Sequence, residues 1–327
     1  MEFSSNIKNA ILNSSNVCML SHVSIDGDGL GSCFALGLAL KAAGKNVVVA
    51  VEEEIPQAYK WLPGNELVAS YDEIKQQFDT AIVIDAGDEE RIGSRIALLQ
   101  QSQTTINIDH HITNMNYAQY NHVDSSASAA GEIIYFLLND MCMEITKDIA
   151  TDIYVAIMTD TGSFNHSNTS ATCHMVVADL FKYGLDVSYI SQMVNENISI
   201  ERLKFTAEAI NSVELHYDGQ LVLCFATKQT INKVGAKDED CEGIIDLIRK
   251  LQGTEVAAFL RENDDGFIRV NLRSKNRVNV AKVAAVFAGG GHERAAGCTI
   301  KNSMKAAKHV LIEEIGRQLS THPKPER

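Results

Sequence analysis

Two short segments in the first third of the chain carry histidines and aspartates at close spacing, at residues 22–28 and 109–111. Two further aspartates, Asp85 and Asp160, each directly follow an apolar stretch. The candidate residues are therefore His22, Asp26, Asp28, Asp85, Asp109, His110, His111 and Asp160. Because carboxylates and imidazoles together suit divalent transition metals, these residues predict a site for paired metal ions. Such a pair can lower the pKa of a shared water and hold the attacking and leaving oxygens of a phosphoryl group.

Each segment alone also has a simpler structural interpretation. Asp26 and Asp28 could cap a helix that starts near Gly31, and Asp160 could lie in a turn. Asp85 could be an ordinary acid at a strand end, and the two adjacent histidines could lie at the surface by chance. Capping does not require clustered histidines, so the combination favours the metal site.

Apolar runs and helical spacing alternate through the first half of the chain. We predict strands at 16–20, 47–51, 81–84 and 105–108, and helices at 31–43, 127–138 and 147–158. Alternating strands and helices indicate an α/β domain with a mainly parallel sheet flanked by helices. Functional sites in such sheets form beyond the carboxyl ends of the strands, where we expect all the candidate residues to lie.

The second half of the chain predicts a smaller α+β domain. A polar, mostly helical linker at 187–209 precedes strands at 213–216, 221–226, 255–261 and 267–273, and a helix at 241–251. The turn Asp264-Asp265-Gly266 joins the last two strands as a hairpin. We therefore predict a catalytic domain at 1–186, the linker at 187–209 and a second domain at 210–327, ending in a disordered tail, THPKPER.

Composition narrows the class of protein. The chain has 327 residues, of which 45% are hydrophobic and 22% charged, as in ordinary globular proteins. Neither a signal peptide nor a membrane-spanning run is apparent, and the seven cysteines include no Cys-x-x-Cys pair. These features predict a cytoplasmic protein without a membrane partner, and they argue against a disulfide framework or a structural zinc site.

The charge distribution bears on the ligand. The formal net charge is −13, which disfavours long nucleic acids. One segment, 267–301, reverses this balance, with seven basic residues against the single acid Glu293. A local basic patch of this kind predicts a short anionic ligand.

These motifs together resemble the DHH phosphoesterase superfamily, which includes RecJ nucleases, family II pyrophosphatases, exopolyphosphatases and NrnA-type bifunctional oligoribonuclease/pAp phosphatases. The segments that carry the resemblance are residues 22–32, 82–85, 109–111, 124–132 (DSSASAAGE) and 159–164 (TDTGSF). In the second half, residues 242–245 (EGII), 272–275 (LRSK) and 289–292 (GGGH) resemble the DHH-associated C-terminal domain. The resemblance covers nearly the whole chain.

The resemblance implies roles for individual residues. One metal would be held by His22, Asp26 and Asp85, and the second by a set that shares Asp85: Asp28, Asp85, His110 and Asp160. His111 would face the scissile phosphate, and Asp109 would orient the histidines. Mn²⁺ is the favoured ion, with Mg²⁺ or Co²⁺ as alternatives.

In the second domain, the candidate substrate-binding residues are Arg273, Ser274, Gly289, Gly290, Gly291, His292 and Arg294. Consecutive glycines allow the backbone to approach a phosphate closely, although such a run alone is more often a flexible turn. Arginine supplies a planar fork suited to a phosphate. For Arg269 and Arg277, a solvated basic surface is an equally good interpretation.

The NrnA-type resemblance implies hydrolysis of very short RNA from the 3′ end and removal of the 3′ phosphate from 3′-phosphoadenosine 5′-phosphate (pAp). A cyclic or linear dinucleotide phosphodiesterase is the alternative. A pyrophosphatase or exopolyphosphatase is less favoured, because the domain with the GGGH motif resembles one that binds nucleotides. A non-catalytic nucleotide sensor is also less favoured, because all the ligand positions are filled. The sequence does not decide the oligomeric state, and a homodimer is compatible with it.

Two positions depart from the pattern of many relatives. Gly29 follows Asp28 where many relatives have alanine, and Asn165-His166 follows Phe164 where many have a basic residue. The first change concerns the rigidity of the loop, and the second concerns substrate preference.

Overall fold

The computed structural model of the chain describes residues 3–237, 239–241 and 243–321, with the side chains of Glu239 and His292 outside that description. Two compact units are present, Met1–Asn197 and Ile198–Arg327. Their boundary falls inside the predicted linker of residues 187–209. Three features of the sequence predictions lie outside the described residues: Glu242 of the 242–245 motif, the side chain of His292, and the tail beyond Thr321.

Unit 1 is built on a six-stranded sheet in which every strand pair is parallel. Its strands are β1 (Asn16–Leu20), β2 (Asn46–Val51), β3 (Val68–Ser70), β4 (Thr80–Ile84), β5 (Thr104–Asp109) and β6 (Tyr120–Val123). The central strands are apolar on both faces: in β1, Val17 and Met19 enter one core while Cys18 and Leu20 enter the other. This burial on both faces is typical of a parallel sheet covered by helices, and the predicted fold class is confirmed.

The helices of unit 1 are α1 (Ser5–Asn13), α2 (Gly27–Ala42), α3 (Ile96–Gln101), α4 (Ala130–Asp140), α5 (Lys147–Asp160), α6 (Ala171–Leu180) and α7 (Val187–Asn195). Helix α2 is buried along most of its length and begins at Gly27, four positions before the predicted start at Gly31. The earlier start has a local cause, because the side chain of Asp26 accepts the backbone N–H groups of Asp28 and Gly29.

The strand order β3-β2-β1-β4-β5-β6 reverses direction between β1 and β4. Three of the predicted segments follow strands β1, β4 and β5 and so meet at this switch point, where α/β sheets form their sites. The prediction that every candidate lies at a strand end was wrong for Asp160. That residue is the last residue of helix α5, because the apolar stretch before it has helical rather than strand spacing.

Unit 2 contains a second six-stranded sheet, in the order β11-β12-β10-β9-β8-β7. Its strands are β7 (Glu214–His216), β8 (Leu221–Ala226), β9 (Val256–Glu262), β10 (Ile268–Ser274), β11 (Gly290–His292) and β12 (Ala295–Ile300). Its helices are α8 (Ile200–Asn211), α9 (Lys228–Val234), α10 (Ile244–Arg249), α11 (Val280–Val286) and α12 (Met304–Thr321). Strands β8 and β9 are parallel and the other pairs antiparallel, so this is the predicted smaller α+β unit.

The two faces of this second sheet are covered differently. Residues of α11 and α12 pack on one face, and residues of α8 and α10 pack over β8 and β9 on the other. The predicted hairpin between β9 and β10 is present. Among the described residues, no helix is long and apolar enough to cross a membrane.

Candidate metal centre and substrate-binding residues

The loop after β1 supplies the first group of polar side chains. His22 is buried, and its Nδ1 lies 2.8 Å from the carbonyl oxygen of Val23, which leaves Nε2 directed at the carboxylates. This Nε2 lies 3.5 Å from Oδ1 of Asp26 and 3.5 Å from Oδ2 of Asp85. Burial opposes protonation of His22, but the hydrogen bonds to Asp26 and Asp85 and the charges of both raise its pKa to about 10.

Asp28 lies in the first turn of α2 and is only 1% exposed. Its Oδ2 accepts a 2.7 Å hydrogen bond from the backbone N–H of Ala130, and its Oδ1 accepts one of 3.0 Å from that of Gly131. These two N–H groups belong to the first turn of α4, where the helix dipole favours a negative charge. Burial, and then the charge of Asp85, raise the pKa of Asp28 well above its usual range. The alternative considered from the sequence was that Asp28 caps its own helix, whereas it accepts hydrogen bonds from the start of another helix.

Asp85 lies at the centre of the cluster. It directly follows β4 and has a left-handed backbone, with φ of 60°. Its Oδ1 lies 3.4 Å from Nε2 of His110, and its Oδ2 faces His22. Burial opposes ionisation, but hydrogen bonds from His110 and His22 lower the pKa of Asp85. Because one oxygen faces His110 and the other faces His22, the Asp85 carboxylate can belong to two ligand sets.

His110 and Asp160 complete the second group. Nε2 of His110 lies 3.8 Å from Oδ2 of Asp28 and 3.9 Å from Oδ2 of Asp160. Burial raises the pKa of Asp160 to about 6, against the opposing effect of His110. His110 has a pKa raised to about 10, because the hydrogen bond to Asp85 and the surrounding carboxylate charges outweigh its burial.

The donor atoms fit divalent metal ions. Three groups have one ligand atom per residue within 4.8 Å of one another: His22, Asp26 and Asp85; Asp28, His110 and Asp160; and Asp85, His110 and His111. Oδ1 of Asp85 is buried and, among the described residues, has no hydrogen-bond partner of ordinary geometry, although Nε2 of His110 lies 3.4 Å away. Such a buried acceptor is costly unless a ligand satisfies it. The first group is the set that the resemblance assigns to one metal, and the second is the set assigned to the other metal without Asp85.

His111 has a different environment from its neighbour. Its Nδ1 lies 2.7 Å from Oδ1 of Asp109, which is fully buried. Oδ2 of Asp109 accepts a 2.6 Å hydrogen bond from the side-chain amide of Asn114. The hydrogen bond to Asp109 raises the pKa of His111, although burial opposes it. Asp109 thus contacts His111 directly.

Sequence reasoning missed two asparagines that orient these side chains. Asn114 holds Asp109, and Asn168 donates a 3.0 Å hydrogen bond to Oδ2 of Asp160. The amide of Asn168 also bonds the carbonyl oxygen of Ser128, which ties the loop after α5 to the start of α4. Asparagine is common in loops, so no pattern in the sequence distinguishes these two from others.

In unit 2, alternation along β10 places Arg269, Asn271 and Arg273 on one face of the sheet. A groove of about 540 Å³ lies on this part of the unit, and Arg269, Asn271 and Gly290 contribute to its lining. Nη1 of Arg273 donates to the carbonyl oxygen of Leu272, and its Nε lies 4.0 Å from a carboxylate oxygen of Asp246. Burial lowers the pKa of Arg273.

Two other predicted substrate-binding residues, Ser274 and Arg294, differ from Arg273 in their exposure or in their contacts. Ser274 is 1% exposed and lies on the opposite face of β10 from Arg273. Nη1 of Arg294 donates to the carbonyl oxygen of Val278, and its Nη2 pairs with Glu293 at 2.9 Å. The structure therefore does not bring Ser274 to the surface of Arg273, and Arg294 already has protein partners.

The glycine run forms an edge strand rather than a free loop. Gly290 pairs with Gly297 across β11 and β12. A Cβ at Gly289 would overlap the carbonyl oxygen of Gly297, and Gly291 has φ of 139° beside Ala296. Gly290 has open space around it, so only the first and third glycines are required by the packing of the backbone.

Comparison with known proteins identifies these two units. Residues 16–157 match the DHH family, N-terminal domain, and residues 220–321 match the DHHA1 domain. The chain is 30% identical, over 93% of its length and 90% of the relative, to the bifunctional oligoribonuclease and PAP phosphatase NrnA of Thermus thermophilus. The chain belongs to the DHH family.

Two further relatives of this DHH protein agree over most of their length. The enzyme of the same name from Bacillus subtilis is 28% identical over 89% of the chain and 91% of the relative. An exopolyphosphatase-related protein from Bacteroides fragilis has a crystal structure that matches with a TM-score of 0.91, at 25% identity, over 95% of both chains. The chain thus contains both a DHH and a DHHA1 domain.

The structure gives a local reason for one departure of this DHH protein from many relatives. A Cβ on Gly29 would overlap the hydroxyl group of Ser21, a fully buried side chain next to His22. Alanine is therefore not accommodated here without movement of Ser21. At the other departure, Asn165 bonds carbonyl oxygens of its own loop and the ring of His166 lies 3.3 Å from the carbonyl oxygen of Asp160.

Proposed function

We propose that this DHH protein is a metal-dependent phosphoesterase that hydrolyses very short oligoribonucleotides from the 3′ end and removes the 3′ phosphate of pAp. The observation that carries the proposal is the ligand cluster around Asp85, whose buried Oδ1 lacks a hydrogen-bond partner of ordinary geometry among the described residues. The names of the curated relatives support the choice of substrate.

We propose two divalent ions, with Mn²⁺ preferred. Oxygen and imidazole donors together favour Mn²⁺ over Mg²⁺ or Ca²⁺, and Mg²⁺ or Co²⁺ would be the alternatives. His22, Asp26 and Asp85 would hold one ion, and a set that includes Asp85 again would hold the other: Asp28, Asp85, His110 and Asp160. When bound, the ions would supply Lewis acidity and favour an ionised water near neutral pH.

The protein residues then have separate tasks. The hydrogen bonds that Asp28 accepts from α4 fix the direction of its carboxylate before any ligand arrives. Since Asp109 accepts a hydrogen bond from Nδ1 of His111, Nε2 is the nitrogen that would donate a hydrogen bond or proton to a phosphate or leaving-group oxygen. Asp109 would stabilise the charge on this imidazole.

Unit 2 would recognise the nucleotide. Arg273 offers a half-exposed guanidinium on the open face of β10, and its planar donors suit a phosphate. The backbone of Gly289, Gly290 and Gly291, with His292 and Arg294, would contribute further contacts. Because the basic surface is small and the net charge is −13, we expect a short ligand rather than long nucleic acid.

The cellular setting remains part of the proposal. None of the seven cysteines forms a disulfide and five are buried, which fits a reducing compartment such as the cytoplasm.

A panel of substrates tests the proposal. Purified protein with Mn²⁺ is incubated with labelled di- to pentaribonucleotides, a long RNA, pAp, cyclic di-AMP and pyrophosphate. We expect release of mononucleotides from the short RNAs and of phosphate from pAp, with little turnover of long RNA. A label at the 5′ end reports polarity through the ladder of intermediates. Preferential cleavage of cyclic di-AMP or pyrophosphate would contradict the proposed substrate class.

A further inference from the structure

An ion pair between a buried arginine and a partly exposed glutamate lies near the metal centre and contains none of its ligands. Arg95 is 2% exposed, and its Nε lies 3.5 Å from Oε2 of Glu52, the residue that follows β2. Nη1 of Arg95 also donates to the carbonyl oxygen of Ala50, and Nε to that of Ile92. Burying the guanidinium of Arg95 costs free energy that its attraction to Glu52 often fails to recover, so general stability explains the presence of this arginine poorly.

The pair fixes the turn that precedes α3. Oε1 of Glu52 accepts hydrogen bonds from the backbone N–H and the hydroxyl group of Ser94. Gly93, with φ of 65°, packs so tightly that a Cβ would overlap Oε2 of Glu52 and lie 2.7 Å from a methyl carbon of Val23. Glu52 therefore holds residues 91–95 in place from one side while Val23 contacts them from the other.

The turn at residues 91–95 supports the loop that carries His22. The backbone N–H of Val23 donates a 2.7 Å hydrogen bond to the carbonyl oxygen of Arg91. The carbonyl oxygen of the same Val23 lies 2.8 Å from Nδ1 of His22. Position and ring orientation of His22 thus depend on a residue that is itself hydrogen-bonded to the turn.

The same connection also begins with Asp85. Residues 85–95 leave β4 at this aspartate and end at Arg95, so the ion pair anchors the far end of a segment whose near end is a predicted ligand. A continuous series of contacts therefore runs from Glu52 and Arg95 through Arg91 and Val23 to His22. The described contacts do not connect this pair to Asp28 or Asp160 in the same way. Asp28 accepts hydrogen bonds from α4, and Asp160 accepts one from Asn168.

We propose that Glu52 and Arg95 are positioning residues for one of the two metal sites, the one that contains His22, Asp26 and Asp85. The inference rests on the proposed two-metal function. It predicts that loss of the pair weakens binding of one ion selectively, whereas a pair that only stabilised the fold would not discriminate between the two sites.

The test is a titration of the full-length, metal-free protein with Mn²⁺. Binding is measured by calorimetry and by the electron paramagnetic resonance signal of free Mn²⁺. Three variants are compared with the natural chain: Glu52→Gln, His22→Ala and, as a matched control, Glu66→Gln. Glu66 pairs with Lys41 at the surface, so its amide should leave both binding events unchanged. His22→Ala identifies which event belongs to the site with His22.

We expect Glu52→Gln to weaken that event about tenfold to a hundredfold, the range seen when partners of metal ligands are removed, and to leave the other event within twofold. In the double variant with His22→Ala, the loss should be no larger than with His22→Ala alone. Equal weakening of both events, or unchanged Mn²⁺ binding with a lower melting temperature of the metal-free protein, would overturn the inference.

If Glu52→Gln fails to fold, Ser94→Ala removes one of the two donors to Glu52 and is read by the same criteria, with a smaller expected loss. The result for the positioning role of Glu52 and Arg95 is separate from the result for the proposed hydrolytic activity. Two binding events in the natural chain without hydrolysis of any substrate in the panel would contradict the proposed function, while the comparison of variants would still decide the role of Glu52.

Discussion

Nδ1 of His111 lies 2.7 Å from a carboxylate oxygen of Asp109, a side chain with no exposed surface. The preceding histidine, His110, instead directs Nε2 at Asp85 and Asp28. The two neighbouring imidazoles therefore face different partners, one a buried orienting carboxylate and the other the ligand cluster. This difference supports a division of labour in which His110 binds metal and His111 acts on the substrate.

Replacing His111 by Gln should lower kcat by about a hundredfold to ten-thousandfold, the usual contribution of a general acid, with Mn²⁺ binding within twofold of the natural chain. Steady-state kinetics on a dinucleotide and an Mn²⁺ titration measure the two effects. His111 also lies within reach of Asp85 and His110. A large loss of Mn²⁺ affinity would therefore reassign it as a ligand.

Asn168 offers a test of how the second ligand set is held. Asn168→Ala removes the amide that donates to Asp160, so we expect binding of one Mn²⁺ to weaken about tenfold. Asn165→Ala is the matched control, because Asn165 bonds only carbonyl oxygens of its own loop in the described contacts. Equal Mn²⁺ affinities in the two variants would show that Asn168 does not orient the ligand.

These orienting contacts could not be predicted from the sequence. Strand β8 has its predicted bounds, since a continuous apolar run defines it, but β3 and β6 are short or half-exposed and were not predicted. The ligand candidates follow from residue type and from the switch point of a parallel sheet. Asn168 and Glu52 become visible only once the fold brings distant segments together. Asp160 was grouped with the strand-end residues although the helix predicted at 147–158 leads directly into it, and the structure extends that helix to Asp160.

Arg273→Ala should raise KM for pAp and dinucleotides about tenfold to a hundredfold, as expected for loss of one or two charge-assisted hydrogen bonds. Turnover of bis-p-nitrophenyl phosphate, which lacks a nucleotide, should change little. Arg273→Lys should recover part of the KM, since it keeps the charge but not the planar fork. Equal losses on nucleotide and generic substrates would argue that Arg273 supports the fold instead.

Asp152 predicts a pH effect that is independent of the metal centre. The side chain is fully buried in α5, and neither carboxylate oxygen has a hydrogen-bond partner of ordinary geometry among the described residues. Burial, with smaller effects from the charges of Asp148 and Glu66, raises its pKa well above the usual value of 3.8.

Because the folded protein binds this proton more tightly than the unfolded chain, its contribution to stability is greatest at acid pH and falls as pH rises above about 4. Asp152→Asn should remove this loss and raise the free energy of unfolding at pH 8 by about 1 to 3 kcal/mol, with a smaller gain at pH 5. Urea denaturation of both proteins at the two pH values measures the difference. A gain that is larger at pH 5 than at pH 8 would refute the assignment.

In the proposed site, Asp85 is the ligand that two metal ions share. The direct test of this role is the rate of dinucleotide hydrolysis by Asp85→Asn in the presence of Mn²⁺, with circular dichroism and the melting temperature of the metal-free protein as checks on the fold. We predict an intact fold and a rate at least about a thousandfold below that of the natural chain, because an amide cannot supply the shared negative charge. Full activity in the folded Asp85→Asn variant would contradict the two-metal account.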